Sequence, residues 1–162
     1  MSASIKVDIT KLGRLSQRVQ KFLNDATDKD VMLDAIGVAL VSNVQTRFEQ
    51  GRGPDGQPWA PVKRGGSPLV DSGLMRDSMT YDVNGSTVRV GTNRIQAKTH
   101  QFGATIKPKK AKVLAFTVKG KAVFAKQVTI PARPFLGINK DDINSIRGTI
   151  ADHMLASHRG AY

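Results

Sequence analysis

Along the first part of the chain, apolar side chains recur at steps of three and four. Leu12, Leu15, Val19, Phe22 and Leu23 follow this spacing, with Lys11, Arg14, Arg18 and Lys21 between them, which predicts an amphipathic helix over residues 8–24. Asp28 can cap a second helix in which Val31, Met32, Ala35, Ile36, Leu40, Val44 and Phe48 form a broad apolar face, closed by Gly51. Residues 51–68 then hold Pro54, Pro58, Pro61 and Pro68 with five glycines, so no regular element can run through them. This is a long loop with one large anchor, Trp59. A short helix is predicted over 72–78, capped by Asp71 or Ser72 and turning Leu74 and Met75 inward.

Beyond it the period changes to two. Residues 80–83 and 87–91 flank Asn84-Gly85, whose tolerance of positive φ makes it the strongest short hairpin signal. One or two helical turns are expected over 95–102, closed by Gly103, and strands over 113–118 and 122–130 are joined near Lys119-Gly120-Lys121. A last helix over 141–157 places Ile143, Ile146, Ile150, Met154 and Leu155 on one side. The expected class is α+β: an antiparallel sheet of four or more strands, with two N-terminal helices, a short middle helix and a C-terminal helix packed against it. No internal repeat or second core divides the chain, so residues 1–162 are read as one domain: helices 8–50, loop 51–68, sheet region 79–138, helix 141–157.

Composition narrows the chemistry. The 162 residues can bury roughly two thirds of their unfolded surface, enough for a self-sufficient core. There is no cysteine, which removes disulfides, thiolate nucleophiles and sulfur-ligated zinc. Residues 1–10 carry no signal-length apolar stretch, and the longest apolar run, 35–41, is far short of the roughly 20 residues that span a bilayer. The expectation is a soluble, unsecreted chain with no membrane partner.

Charge is concentrated. The net +12 resides almost wholly in residues 79–140, where twelve Lys and Arg face one acidic residue. Such a segment expects an acidic partner, and Lys107, Lys109, Lys110, Lys112, Lys119, Lys121, Lys126 and Arg133 lie on or beside the predicted strand pair. Gathered at one end of the sheet, these lysines can face DNA or an acidic protein surface. They can equally be a solvated face that keeps strand edges apart. Phe116 and Phe124 are assigned to the core, so any contact with nucleic acid would be made through phosphates.

Enzyme signatures do not assemble. Gly51, Gly53 and Gly56 match G-x-G-x-x-G only formally, because a helix precedes them and prolines follow. His100, His153 and His158 are too few and too irregular for a metal site, and no cofactor is expected. His153 and His158 read as solvated positions near a helix end, and His100 as a structural histidine beside a buried Phe102. Asp71 and Asp77 read as a helix cap and a surface charge rather than an acid and base pair.

Five segments in order resemble the phage virion morphogenesis family, the tail-completion proteins of Mu-like and related tailed phages. They are Pro54-Asp55-Gly56-x-Pro58-Trp59-Ala60-Pro61, Leu69-Val70-Asp71-Ser72-Gly73-Leu74-Met75-Arg76-Asp77-Ser78, Val90-Gly91-Thr92-Asn93, His100-Gln101-Phe102-Gly103-x-Thr105-Ile106 and Ile130-Pro131-Ala132-Arg133-Pro134-Phe135-Leu136-Gly137. Together they cover about residues 48–138. The sequence departs from the family where a Tyr-Ala pair usually precedes the histidine segment, since Gln96-Ala97 stands there.

The resemblance implies a non-enzymatic virion protein of the tail or neck, assembled in the host bacterial cytoplasm. It implies a homo-oligomeric ring, with a hexamer favoured, that meets tail-tube or tail-terminator proteins and head connector proteins and touches packaged double-stranded DNA without sequence recognition. In physical terms Pro54-Asp55-Gly56 makes a tight turn and Trp59 anchors the long loop. Pro131 and Pro134 hold an extended segment that presents Phe135 and Leu136. Trp59, Arg133, Phe135 and Leu136 are therefore the candidate interface residues. The rival reading is a small basic DNA-binding protein acting through phosphate contacts.

Overall fold

The computed structural model describes residues 2–8, 26–63, 65–118 and 120–159. The helix expected over 8–24 falls, beyond Asp8, outside the described residues, as does Lys119. Asp8 itself closes a strand, β1 (Ala3–Asp8), which was not expected. Its signal is nonetheless in the sequence, where Ala3, Ile5 and Val7 alternate with Ser4, Lys6 and Asp8.

The main sheet has the order β1-β3-β2, with β2 at Thr80–Asn84 and β3 at Thr87–Thr92, both pairings antiparallel. Register sets Val88 between Val7 and Val83, and Val90 between Ile5 and Tyr81, so one face carries all six apolar side chains. The hairpin forms where expected, but its turn is displaced by one residue. Asn84 pairs with Thr87, which leaves Gly85 and Ser86 as the central pair; φ is +60° at Gly85 and is not positive at Ser86. Glycine at the first central position is the type II′ arrangement, and its twist matches that of the strands.

Helix α1 (Ala26–Gln50) packs across this apolar face. Met32, Leu33, Ile36, Leu40, Val44 and Phe48 are buried on it, whereas Val31 is exposed and Asp28 lies within the helix instead of capping it. Helix α2 is shorter than expected (Leu74–Asp77) and starts from a left-handed Gly73 with no side-chain cap. Only Met75 turns inward, and Leu74 is exposed.

Helix α3 (Ala97–Phe102) ends at Gly103 as expected. The closing helix α4 (Lys140–Arg159) packs on α1 through buried Ile146 and half-buried Ile143, Ile150 and Met154, while Leu155 points to solvent. No helix among the described residues is long and apolar enough to cross a membrane.

The α+β class with antiparallel pairing and an amphipathic closing helix is as expected. The strands are divided, however, among three sheets. The expected strand 122–130 breaks in two: β6 (Lys121–Ala125) pairs with β5 (Leu114–Val118), whereas β7 (Val128–Ile130) pairs with β4 (Ala104–Ile106). A two-stranded base, β4 and β7, thus carries a two-stranded hairpin, β5 and β6.

Candidate functional site

Two structures are built from the motif residues. The first is a belt, residues 131–139, which has no backbone ladder of its own and is held by side chains from four other segments of the chain. Gln101 on α3 accepts the N–H groups of Phe135 and Leu136 at 3.0 Å each and donates Nε2 to the Leu136 carbonyl at 2.9 Å. Trp59 donates Nε1 to the Pro134 carbonyl at 2.8 Å, and its ring meets Phe48 edge-on at 5.5 Å. Arg133 gives its backbone N–H to the His100 carbonyl at 2.7 Å. Its guanidinium donates to the carbonyls of Ala60 and Pro61 at 2.8 and 3.1 Å.

From α1, Arg47 reaches the Phe135 and Gly137 carbonyls at 3.2 and 3.0 Å and forms a short ion pair with Asp142. Asp142 in turn belongs to a reciprocal cap with Asn139. Each side chain accepts the other residue's N–H at 2.9 Å, as in a capping box, and Asn43 donates to the second Asp142 oxygen at 3.0 Å. Arg47 and Asp142 were not anticipated. A polar residue between apolar helix positions, and an acid in the first turn of a helix, both read as surface until a partner is brought to them.

The belt alters the picture of the candidate interface residues. Trp59, Phe135 and Leu136 are buried against their own chain, with the Phe48 and Phe135 rings 5.3 Å apart and tilted by 49°. In this conformation their side chains pack within the chain itself. Arg133 is equally buried but borders a cavity.

The remaining motif residues serve the same local architecture. Asp55 accepts the Gln57 N–H at 3.1 Å, and the Gly56 N–H closes a turn on the Gly53 carbonyl at 2.9 Å, as the Pro54-Asp55-Gly56 pattern expects. Arg76 is paired with Asp77 at 2.7 Å. Gly91 lies where a Cβ would sit 2.1 Å from the Ala3 carbonyl oxygen, so β1 can approach β3 only with glycine here. Asp71 is exposed, two residues before the Gly73 from which α2 starts. His153, expected in solvent, is half-buried, with Nε2 enclosed and unpartnered. Phe102, expected to be buried, is exposed.

The second structure is the arm, residues 104–130, which contains seven lysines and no carboxylate. Lys107, Lys109, Lys110, Lys112, Lys121 and Lys126 are all exposed. They do not gather at one end. Lys121 pairs with Val118 at the hairpin tip, whereas Lys107 to Lys112 and Lys126 lie beyond the opposite end, where Leu114 pairs with Ala125. Five residue steps at about 3.3 Å put the two groups roughly 15 Å apart or more. Phe116 and Phe124, expected in the core, are 37% and 69% exposed, and Ile106 and Val113 are also open. Among the described residues no three His, Asp or Glu side chains are grouped so as to hold a metal ion.

The belt, the turn at Pro54-Asp55-Gly56 and the arm all fall inside the stretch, residues 10–155, that matches the model of the phage virion morphogenesis family. The chain belongs to this family. As a family member it has a structural or morphogenetic role in the phage virion. It is similar to the Mu-like prophage FluMu G protein 2 of Haemophilus influenzae, with 29% identity over 150 residues that cover 92% of this chain and 95% of the relative. No solved structure gives a significant match.

Proposed function

We propose that this family member completes the phage tail or forms the neck ring joining tail to head, as one subunit of a closed homo-oligomer, and that it acts by binding and not by catalysis. The observation that carries the reading is the arm. A two-stranded hairpin is marginal by itself in water, and this one leaves Phe116, Phe124, Ile106 and Val113 uncovered beside six exposed lysines. Apolar side chains in a basic setting match a neighbouring protein with an acidic surface, a tail-tube or tail-terminator protein or a head connector, where the crowded positive charge is relieved. A hexamer is the favoured ring. Its position in the virion follows from the same reading.

Particles made without the protein test this directly. Electron micrographs should show DNA-filled heads and separate tails, and a normal yield of joined virions would end the proposal. The second reading, a basic protein that acts alone on DNA, is favoured by the lysines but not by the exposed phenylalanines. Binding through phosphates weakens steeply as salt rises, whereas an assembly held by apolar contacts survives. Changing Lys109, Lys110, Lys112, Lys119 and Lys121 to Gln and scoring head-to-tail joining across a salt series separates the two. Unchanged joining at every salt concentration, in a variant folded by circular dichroism, would reduce the lysines to a solubility feature.

A further inference from the structure

Between the loop before α2 and the start of α3 lies a cavity of about 300 Å³, whose walls include Leu69, Leu74, Met75, His100 and Arg133. That volume is at the small end of ligand sites, room for one or two side chains. Three features of its wall are unusual together. Arg133 is only 5% exposed, yet its guanidinium contacts two neutral carbonyls and forms no ion pair with any described residue. His100 carries an enclosed Nδ1 with no hydrogen-bond partner. Leu69 has φ +62°, a left-handed conformation that costs a non-glycine residue free energy and collects at binding sites.

A buried cation without a counter-charge, next to a buried nitrogen without a partner, lacks an anion. We propose that the cavity is a carboxylate-binding site: it receives an acidic side chain or a chain-terminal carboxylate from a neighbouring protein, paired with Arg133, with His100 in the same wall, and seated against Leu69, Leu74 and Met75. The apolar wall selects for a carboxyl on a short hydrocarbon stem. A duplex phosphate, fixed on a stiff and wholly polar backbone, cannot offer one. Leu74 at 54% exposure leaves an apolar margin on which the rest of the partner can rest. The site does not depend on whether the chain works in the tail or in the neck.

His100 makes the site sensitive to protons. In the free chain, burial and then the neighbouring Arg133 charge hold its pKa below the ordinary imidazole value, so it is neutral and Nδ1 can be an acceptor. A carboxylate between the two residues offsets the Arg133 charge. The His100 pKa then moves back toward the ordinary imidazole value. Asp71 borders the same cavity but is exposed, whereas Arg133 is buried and its charge less screened by water. The incoming anion is therefore drawn to the Arg133 and His100 end.

The test uses the full chain and three peptides: N-acetyl-Leu-Glu-amide, N-acetyl-Leu-Leu with a free C-terminus, and the neutral control N-acetyl-Leu-Gln-amide. Imidazole resonances, assigned with His100→Gln, report binding. At least one carboxylate peptide should bind about tenfold tighter than the control, and it should raise the His100 pKa by about one unit. Whether the side-chain or the terminal acid binds identifies the source. Leu74→Asp, at an exposed position where the fold should tolerate it, sets a like charge at the mouth and should weaken binding about tenfold. Equal binding of acid and amide peptides, or none at millimolar concentration, overturns the proposal. So would a 20-base-pair DNA duplex that shifts the His100 resonance when neither acidic peptide does.

Discussion

Removing Asp142 should be among the most damaging single changes in the molecule, although its sequence position suggests an ordinary surface acid. Its side chain is 1% exposed and faces an Arg47 side chain 6% exposed, while the same carboxylate accepts from Asn43 and from the Asn139 N–H. Taking away one partner of a buried pair strands the other charge, which costs about 3–5 kcal/mol. Loss of the cap adds about 1 kcal/mol for Asp142→Ala. Arg47→Met should cost about 3–5 kcal/mol as well, since it also frees the Phe135 and Gly137 carbonyls that hold the belt. The double variant Arg47→Met/Asp142→Leu removes both charges and should cost well below the sum of the singles, a coupling of about 3 kcal/mol or more. With a total stability on the order of 5–15 kcal/mol the single variants remain measurable. Urea unfolding followed by circular dichroism should then show midpoints lowered by about 2 M, for a slope near 2 kcal/mol per molar. Single costs below about 1 kcal/mol that simply add in the double would mean that water already screens the pair, and the account of the belt would fail with it.

Other variants probe separate contacts. Trp59→Ala should cost about 3–5 kcal/mol, whereas Trp59→Phe keeps the ring on Phe48 and loses only the bond to Pro134, about 1–2 kcal/mol; equal costs would disprove the role given to that bond. Gly91→Ala drives a methyl into the β1 backbone at Ala3, so amide exchange at Ile5 and Val7 should accelerate well before the rest of the sheet; uniform protection would show that β1 can shift to accommodate it. Because the folded pKa of His100 lies below its unfolded value, its contribution to stability is complete above about pH 6.5 and is lost as pH falls through the folded value. His100→Gln should therefore flatten the dependence of stability on pH below about 6.5, and an unchanged slope would contradict the burial argument.

Local patterns carried the elements whose partners lie close in the chain or whose faces are simple. The β2–β3 hairpin is legible because Asn84-Gly85 sits between two alternating runs, although which residues centre the turn depended on the pairing of Asn84 with Thr87. The closing helix is legible from Ile143, Ile146 and Ile150, and the apolar face of α1 from Met32 to Phe48. The family resemblance, too, was present in the ordered motifs.

What local pattern could not supply was the choice among partners far away in sequence. Strand β1 has a period of two, but its meaning comes from β3, whose paired residues lie 79 to 89 positions on. Apolar character also did not settle burial: Phe116 and Phe124 have the composition of core residues and lie on an arm with no layer over them, while charged Arg47 and Asp142 lie inside. The physical reason is that burial belongs to a surface and to what comes to cover it. An isolated apolar side chain records only the gain available on covering, and a charged one only the cost; the fold decides where a counter-charge or a second layer is at hand. Arg133 shows both sides of this. Its motif singled it out, and only the closing of the loop over it left a guanidinium enclosed at the edge of a cavity, its side-chain hydrogen bonds going to two neutral carbonyls.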